Sequence, residues 1–190
     1  MLKKITFGVF RFLAGIALIP FCAVFTMTLV SLVQSAGGSS DAVMAPSGLA
    51  LVGGYILWVF LYFIAPRPMR TYILAHELTH ALWGSFMGAR VSKIKVSKES
   101  GSVTLSKTNF LITLAPYFFP LYTVIVLICY YIMSMFINME DYYLIWMFLV
   151  GFTWGFHFTF TVSTLCQHQS DIRETGYLFS YALIYLLNVV

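Results

Sequence analysis

His76-Glu77-Leu78-Thr79-His80 (HELTH) decides how the rest of the chain is read. On an α-helix, residues four apart stand on one face, one turn above the other, so the imidazoles of His76 and His80 can reach a single metal ion. Zinc accepts histidine nitrogen and favours tetrahedral coordination, and this pair fills two of its positions. Glu77 lies one step round the helix, placed to reach a water on the metal rather than the metal itself. A carboxylate there can take the proton of that water as it attacks a carbonyl. The pattern is H-E-x-x-H. It sits in an apolar helix, where two histidines and a glutamate are expensive to bury without a chemical role.

Composition sets the surroundings of that helix. The chain has 190 residues, 60% hydrophobic and 9% charged, with a mean hydropathy of +0.86. Soluble domains carry about a quarter charged residues. Several apolar runs approach the roughly 20 residues that cross a bilayer. The expectation is one membrane-embedded domain over residues 1–190: an all-α polytopic membrane protein with about six membrane helices and a small β-hairpin after the HELTH helix. Its location is then integral and multi-pass, in the cytoplasmic membrane if the source is prokaryotic. A net charge of +4, held mostly in short loops, points to lipid headgroups and not to nucleic acid. Cys22, Cys129 and Cys166 form no CxxC pair, which indicates neither a disulfide framework nor a thiolate site. They read as small buried apolar residues.

The chain is then read in order. An apolar run over residues 12–33 follows Lys3 and Lys4, and its length favours a retained helix over a cleaved signal. Arg11 is expected to snorkel to the headgroups. Residues 35–47 read as a loop, through Gly37, Gly38, Ser39, Ser40, Asp41 and Pro46. A second helix is expected over residues 48–65, with Trp58 and Tyr62 at its interfacial end, and Pro66-Arg67-Pro68 breaks the chain after it. The HELTH helix should cover residues 71–87, with Gly84 and Gly88 letting another helix approach. Over residues 90–107, Ile94 and Val96, then Val103 and Leu105, alternate with polar neighbours around Glu99-Ser100-Gly101, the pattern of a β-hairpin. An exposed strand there could pair with an extended substrate. Helices follow over residues 110–137, kinked by Pro116 and Pro120, and over residues 142–166. A last helix starting near Ser170 would be long enough to span. Basic residues divide almost evenly between the two faces, so the positive-inside rule sets no orientation.

Catalytic zinc takes three protein ligands as a rule. Beside the pair, the chain offers His157, His168, Asp41, Glu99, Glu140, Asp141, Asp171 and Glu174. His157 lies near the centre of an apolar run, where ionisable residues are usually functional. It is a rival ligand, or a group that bonds a substrate carbonyl or a ligand's outer partner. His168 reads as a loop histidine. Asp171 and Glu174 have the spacing of a capping box.

HExxH in a membrane helix resembles the intramembrane zinc metalloproteases of the site-2 protease type. The likeness runs from about Thr71 to Gly176, through HELTHALWGSFMGARV, Ala115-Pro116-Tyr117 and Ser170-Asp171. It implies Asp171 as third ligand, one Zn²⁺ per chain, Glu77 as general base, and a strand near the site formed by Ile94, Val96, Val103 and Leu105. It implies a zinc endopeptidase that cuts peptide bonds in or near membrane-spanning segments of a membrane-embedded protein substrate. Two alternatives stay open. One is a non-catalytic membrane protein that binds transmembrane partners, which would not need Glu77. The other is a membrane zinc hydrolase of lipid amides or esters.

Overall fold

The computed structural model describes residues 2–37 and 45–190; the middle of the expected loop, with Gly38 and Asp41, lies outside them. Among the described residues the chain is mostly helical, with one two-stranded sheet. Helix α1 (Leu2–Gly37) is followed by α2 (Pro46–Ile64) and α3 (Met69–Phe86), which carries HELTH. Strands β1 (Val91–Val96) and β2 (Gly101–Leu105) form the antiparallel hairpin, pairing Ile94 with Val103 and Val96 with Gly101. A short α4 (Phe110–Leu114) runs into a 3-10 turn, Ala115–Tyr117, and then come α5 (Leu121–Ser134), α6 (Tyr143–Leu165), α7 (Ser170–Thr175) and α8 (Tyr177–Val189).

Local chemistry sets these ends. Pro46 opens α2 at a position that needs no N–H. Gly88, at φ +73°, stops α3, and the Ala89 N–H returns to the Gly84 carbonyl at 2.8 Å. The glycines therefore do not make a groove for another helix. Gly84 receives the Leu105 side chain of β2, which a Cβ would meet at 3.0 Å. The helix expected over residues 110–137 is divided by Pro116 and Pro120, and its two parts meet at 80°. The helix expected from Ser170 onward is also divided. Gly176 sits at φ +92° between α7 and α8, leaving α8 with 13 residues. The cap of α7 is Gln169, without a side-chain hydrogen bond, so Asp171 and Glu174 make no capping box.

Three described helical spans are long and apolar enough to cross a membrane, Gly8–Ser35, Pro46–Ile64 and Glu140–Leu165, or four if the bent pair counts as one span. This is fewer than the six expected. The HELTH helix is not among them, its two histidines, glutamate and arginine lowering its hydropathy, and α8 is too short.

Helices α2 and α6 pack closely, with Gly54 against the Phe148 carbonyl and Gly151 against the Leu51 carbonyl. Trp58 and Tyr62 do not mark an interface: each is 7% exposed and packs with Phe156 and Phe160. The Trp58 indole N–H donates to Thr159 Oγ1 at 2.8 Å, which removes its need for water. A second core joins Leu114, Tyr117, Ile172 and Ile184. It is the seat of α7. Helix α1 packs on α8, where Cys22 Sγ donates to the Ala182 carbonyl. Arg11 donates to the Glu174 carbonyl at the end of α7 rather than extending away. Of the three cysteines, none is buried: Cys22 is half-buried, Cys129 and Cys166 are exposed, and none is paired. Large apolar side chains such as Phe63, Phe86 and Phe136 face outward.

Candidate metal centre

The site grows from one turn of α3. His76 and His80 face the same way, with Nε2 atoms 3.2 Å apart. His80 Nδ1 lies 2.8 Å from the Ile112 carbonyl of α4. A carbonyl only accepts, so Nδ1 carries the proton and the Nε2 lone pair points into the site. The His76 ring stands edge-on to Tyr117, at 5.4 Å and 87°, and its Nδ1 faces the Tyr72 hydroxyl at 3.4 Å. Tyr72 in turn stacks on Phe160 at 4.7 Å, so the aromatic core of α2 and α6 supports the ring.

Asp171 closes the group from α7. Ile172, 1% exposed, fixes that helix in the second core, and the Thr175 hydroxyl donates to the Asp171 backbone carbonyl at 2.6 Å. Its neighbour is thereby turned towards the histidines. Asp171 Oδ2 lies 3.4 Å from His76 Nε2 and 3.6 Å from His80 Nε2, and it accepts the Tyr117 hydroxyl at 3.0 Å. Burial pushes the Asp171 carboxyl up, but when the His76 and His80 rings are protonated their hydrogen bonds and charge outweigh it and hold the group below the ordinary carboxylate range.

These three atoms fit a zinc ion. Bonds of about 2.0–2.1 Å in a tetrahedron put neighbouring ligand atoms roughly 3.3–3.4 Å apart, and the observed separations run from 3.2 to 3.6 Å. With His80 Nδ1 protonated, the centre gathers lone pairs that a shared cation satisfies. His76, His80 and Asp171 form a group of side chains that could hold a metal ion. His157 is outside it, and His168 is exposed in the segment before α7.

The centre opens on a cavity of about 610 Å³ lined by His76, Glu77, His80 and Asp171 together with the hairpin, a size typical of ligand pockets. Glu77 is 8% exposed, its side chain against Gly101. Val103 and Leu105 line the cavity, whereas Ile94 and Val96, on the other strand, do not. Among the described residues strand β2 pairs only with β1, leaving its second edge without a strand partner there.

Reasoning from sequence missed three parts of the site. Tyr117 stood in the Ala115-Pro116-Tyr117 stretch of the resemblance, but with no role at the site. The Ile112 carbonyl carries no sequence signal at all. Gly101 reads locally as a turn residue, although what it touches is Glu77. No protein-family model, curated protein or solved structure matches the chain.

Proposed function

We propose that this chain is a multi-pass integral membrane zinc endopeptidase, resembling the site-2 protease type, that cuts membrane-embedded protein substrates in or near their spanning segments. The observation that carries the reading is the convergence of two imidazole nitrogens and one carboxylate oxygen at tetrahedral spacing, with a glutamate in the same cavity. The long apolar helices and the outward apolar side chains support the membrane location.

His76, His80 and Asp171 would hold the metal, one per chain. Zinc, when bound, lowers the pKa of its water towards ~7 and polarises the substrate carbonyl. Glu77 accepts the proton of the attacking water and delivers it to the leaving amine nitrogen. The Ile112 carbonyl and the Tyr117 hydroxyl hold His80 and Asp171 in orientation. The unpartnered edge of β2, with Val103 and Leu105, offers an extended substrate main-chain hydrogen bonds beside the centre.

The test pairs metal content with cleavage of a transmembrane reporter. Purified wild-type protein should carry about one zinc, the number for a single three-ligand site. Glu77→Gln should keep that zinc and lose cleavage. Background zinc in wild type, or full turnover by Glu77→Gln, would overturn the proposal.

A further inference from the structure

The two nitrogens of the His76 ring have different company. Nε2 meets His80 and Asp171. Nδ1 has the Tyr72 hydroxyl at 3.4 Å, longer than an ordinary hydrogen bond. A second, small cavity of about 20 Å³ is lined by Tyr72, His76, Pro116, Thr153 and His157 among others. That volume is enough for one water, which needs roughly 10–15 Å³ by this measure.

One group in its wall wants a partner. The His157 ring meets the Asn188 side chain, yet its Nε2 is buried with no hydrogen-bond partner, and in either tautomer that atom must donate or accept. A buried water generally makes two to four hydrogen bonds to such groups.

We propose that one buried water bridges His157 Nε2 to His76 Nδ1, which makes His157 a positioning residue for the metal ligand rather than a ligand itself. The inference rests on the zinc reading above. The bridge supplies the Nδ1 partner that Tyr72 provides only at long range. It fixes the tilt of the His76 ring and so the direction of its Nε2 lone pair. His80 obtains the same service from the Ile112 carbonyl. A histidine serving only to pack α6 against its neighbours would have no effect on the metal.

The test measures zinc affinity in detergent by competition with a chelator, and the visible absorption of the cobalt-loaded protein, which reports ligand geometry. His157→Leu removes the polar partner. Thr153→Ile fills the cavity and leaves His157 in place. Both should weaken zinc binding about tenfold or more, the usual effect of losing an outer partner, and shift the cobalt bands. His157→Gln, which keeps a hydrogen-bonding group at the same reach, should stay within about threefold of wild type with unchanged bands. Wild-type affinity and spectrum in both His157→Leu and Thr153→Ile would overturn the inference while leaving the zinc reading intact. If those two variants fail to fold, His157→Met, which keeps the bulk and removes the polar atom, decides: weakened zinc binding with shifted cobalt bands in the folded protein supports the bridge, and wild-type binding overturns it. A wild-type chain that takes up neither zinc nor cobalt removes both readings together.

Discussion

Gly101 and Glu77 touch so closely that no side chain fits between them: a Cβ on Gly101 would lie 2.6 Å from both Cγ and Oε1 of Glu77. The same atom would lie 2.6 Å from Ile73 Cγ2, so the carboxylate cannot simply slide back along the helix. The hairpin therefore sets where the proposed base stands. Gly101→Ala should displace Glu77 while leaving the three metal-ligating side chains alone. A misplacement of about 1 Å can lower a rate about a hundredfold, so reporter cleavage should fall at least tenfold with zinc content unchanged. Unaltered cleavage by Gly101→Ala would show that Glu77 does not need this placement.

The Tyr117 hydroxyl is the second lever. It donates to the Asp171 oxygen that faces the histidines, from a side chain with no exposed surface. Tyr117→Phe keeps the ring packed against His76 and removes only that bond. Zinc affinity should drop about 10–100-fold, as for other outer-partner losses. A chelator titration that finds wild-type affinity would remove Tyr117 from the site.

Asp171→Ala should do more than Tyr117→Phe. The bond from Thr175 goes to the Asp171 backbone carbonyl, so α7 keeps that anchor and Ile172 stays in the core. The fall in zinc affinity should exceed the roughly 10–100-fold of an outer partner. The comparison is read by mass spectrometry of metals and by thermal unfolding of the same samples. Full zinc occupancy in folded Asp171→Ala would mean that the ligand set is different.

Two adjacent glycines in α2 test the packing of the fold. Gly54 lies against the Phe148 backbone, while nothing is within 4 Å of the place a Gly53 Cβ would take. Gly54→Ala forces α2 and α6 apart and should destabilise the protein by about 1–3 kcal/mol, the range for overpacking. Gly53→Ala meets no obstacle and should raise helix stability by about 0.5–1 kcal/mol. Thermal unfolding in detergent should shift in opposite directions for the two.

What the sequence made legible was local. The two-histidine face of α3 follows from spacing alone, and the hairpin follows from alternation around Glu99-Ser100-Gly101. The prolines at 116 and 120 foretold a break, though not an 80° turn. What stayed hidden depends on contacts between distant segments. Trp58 and Tyr62 looked like interfacial aromatics because nothing in α2 tells that Phe156 and Phe160 will cover them. The last helix looked continuous because one glycine in an apolar run does not declare its φ. The placement of Asp171 beside the histidines followed from resemblance, since spacing on its own favoured a capping role that α7 does not show.

The distance in sequence between HELTH and Asp171 bears on the order in which the molecule is made. A chain emerges from the ribosome starting at its amino end, at about 5–20 residues per second. His76 and His80 are therefore synthesised well before Asp171, and α7 is held by partners from both ends of the chain: Arg11 of α1 and Ile184 of α8. On the proposed ligand set, the histidines supply two of the three ligands until α8 has docked, and two ligands would hold zinc poorly. Under that reading the newborn chain would not be armed before Asp171 is in place. Metal uptake would then report that α1 and α8 have both met α7.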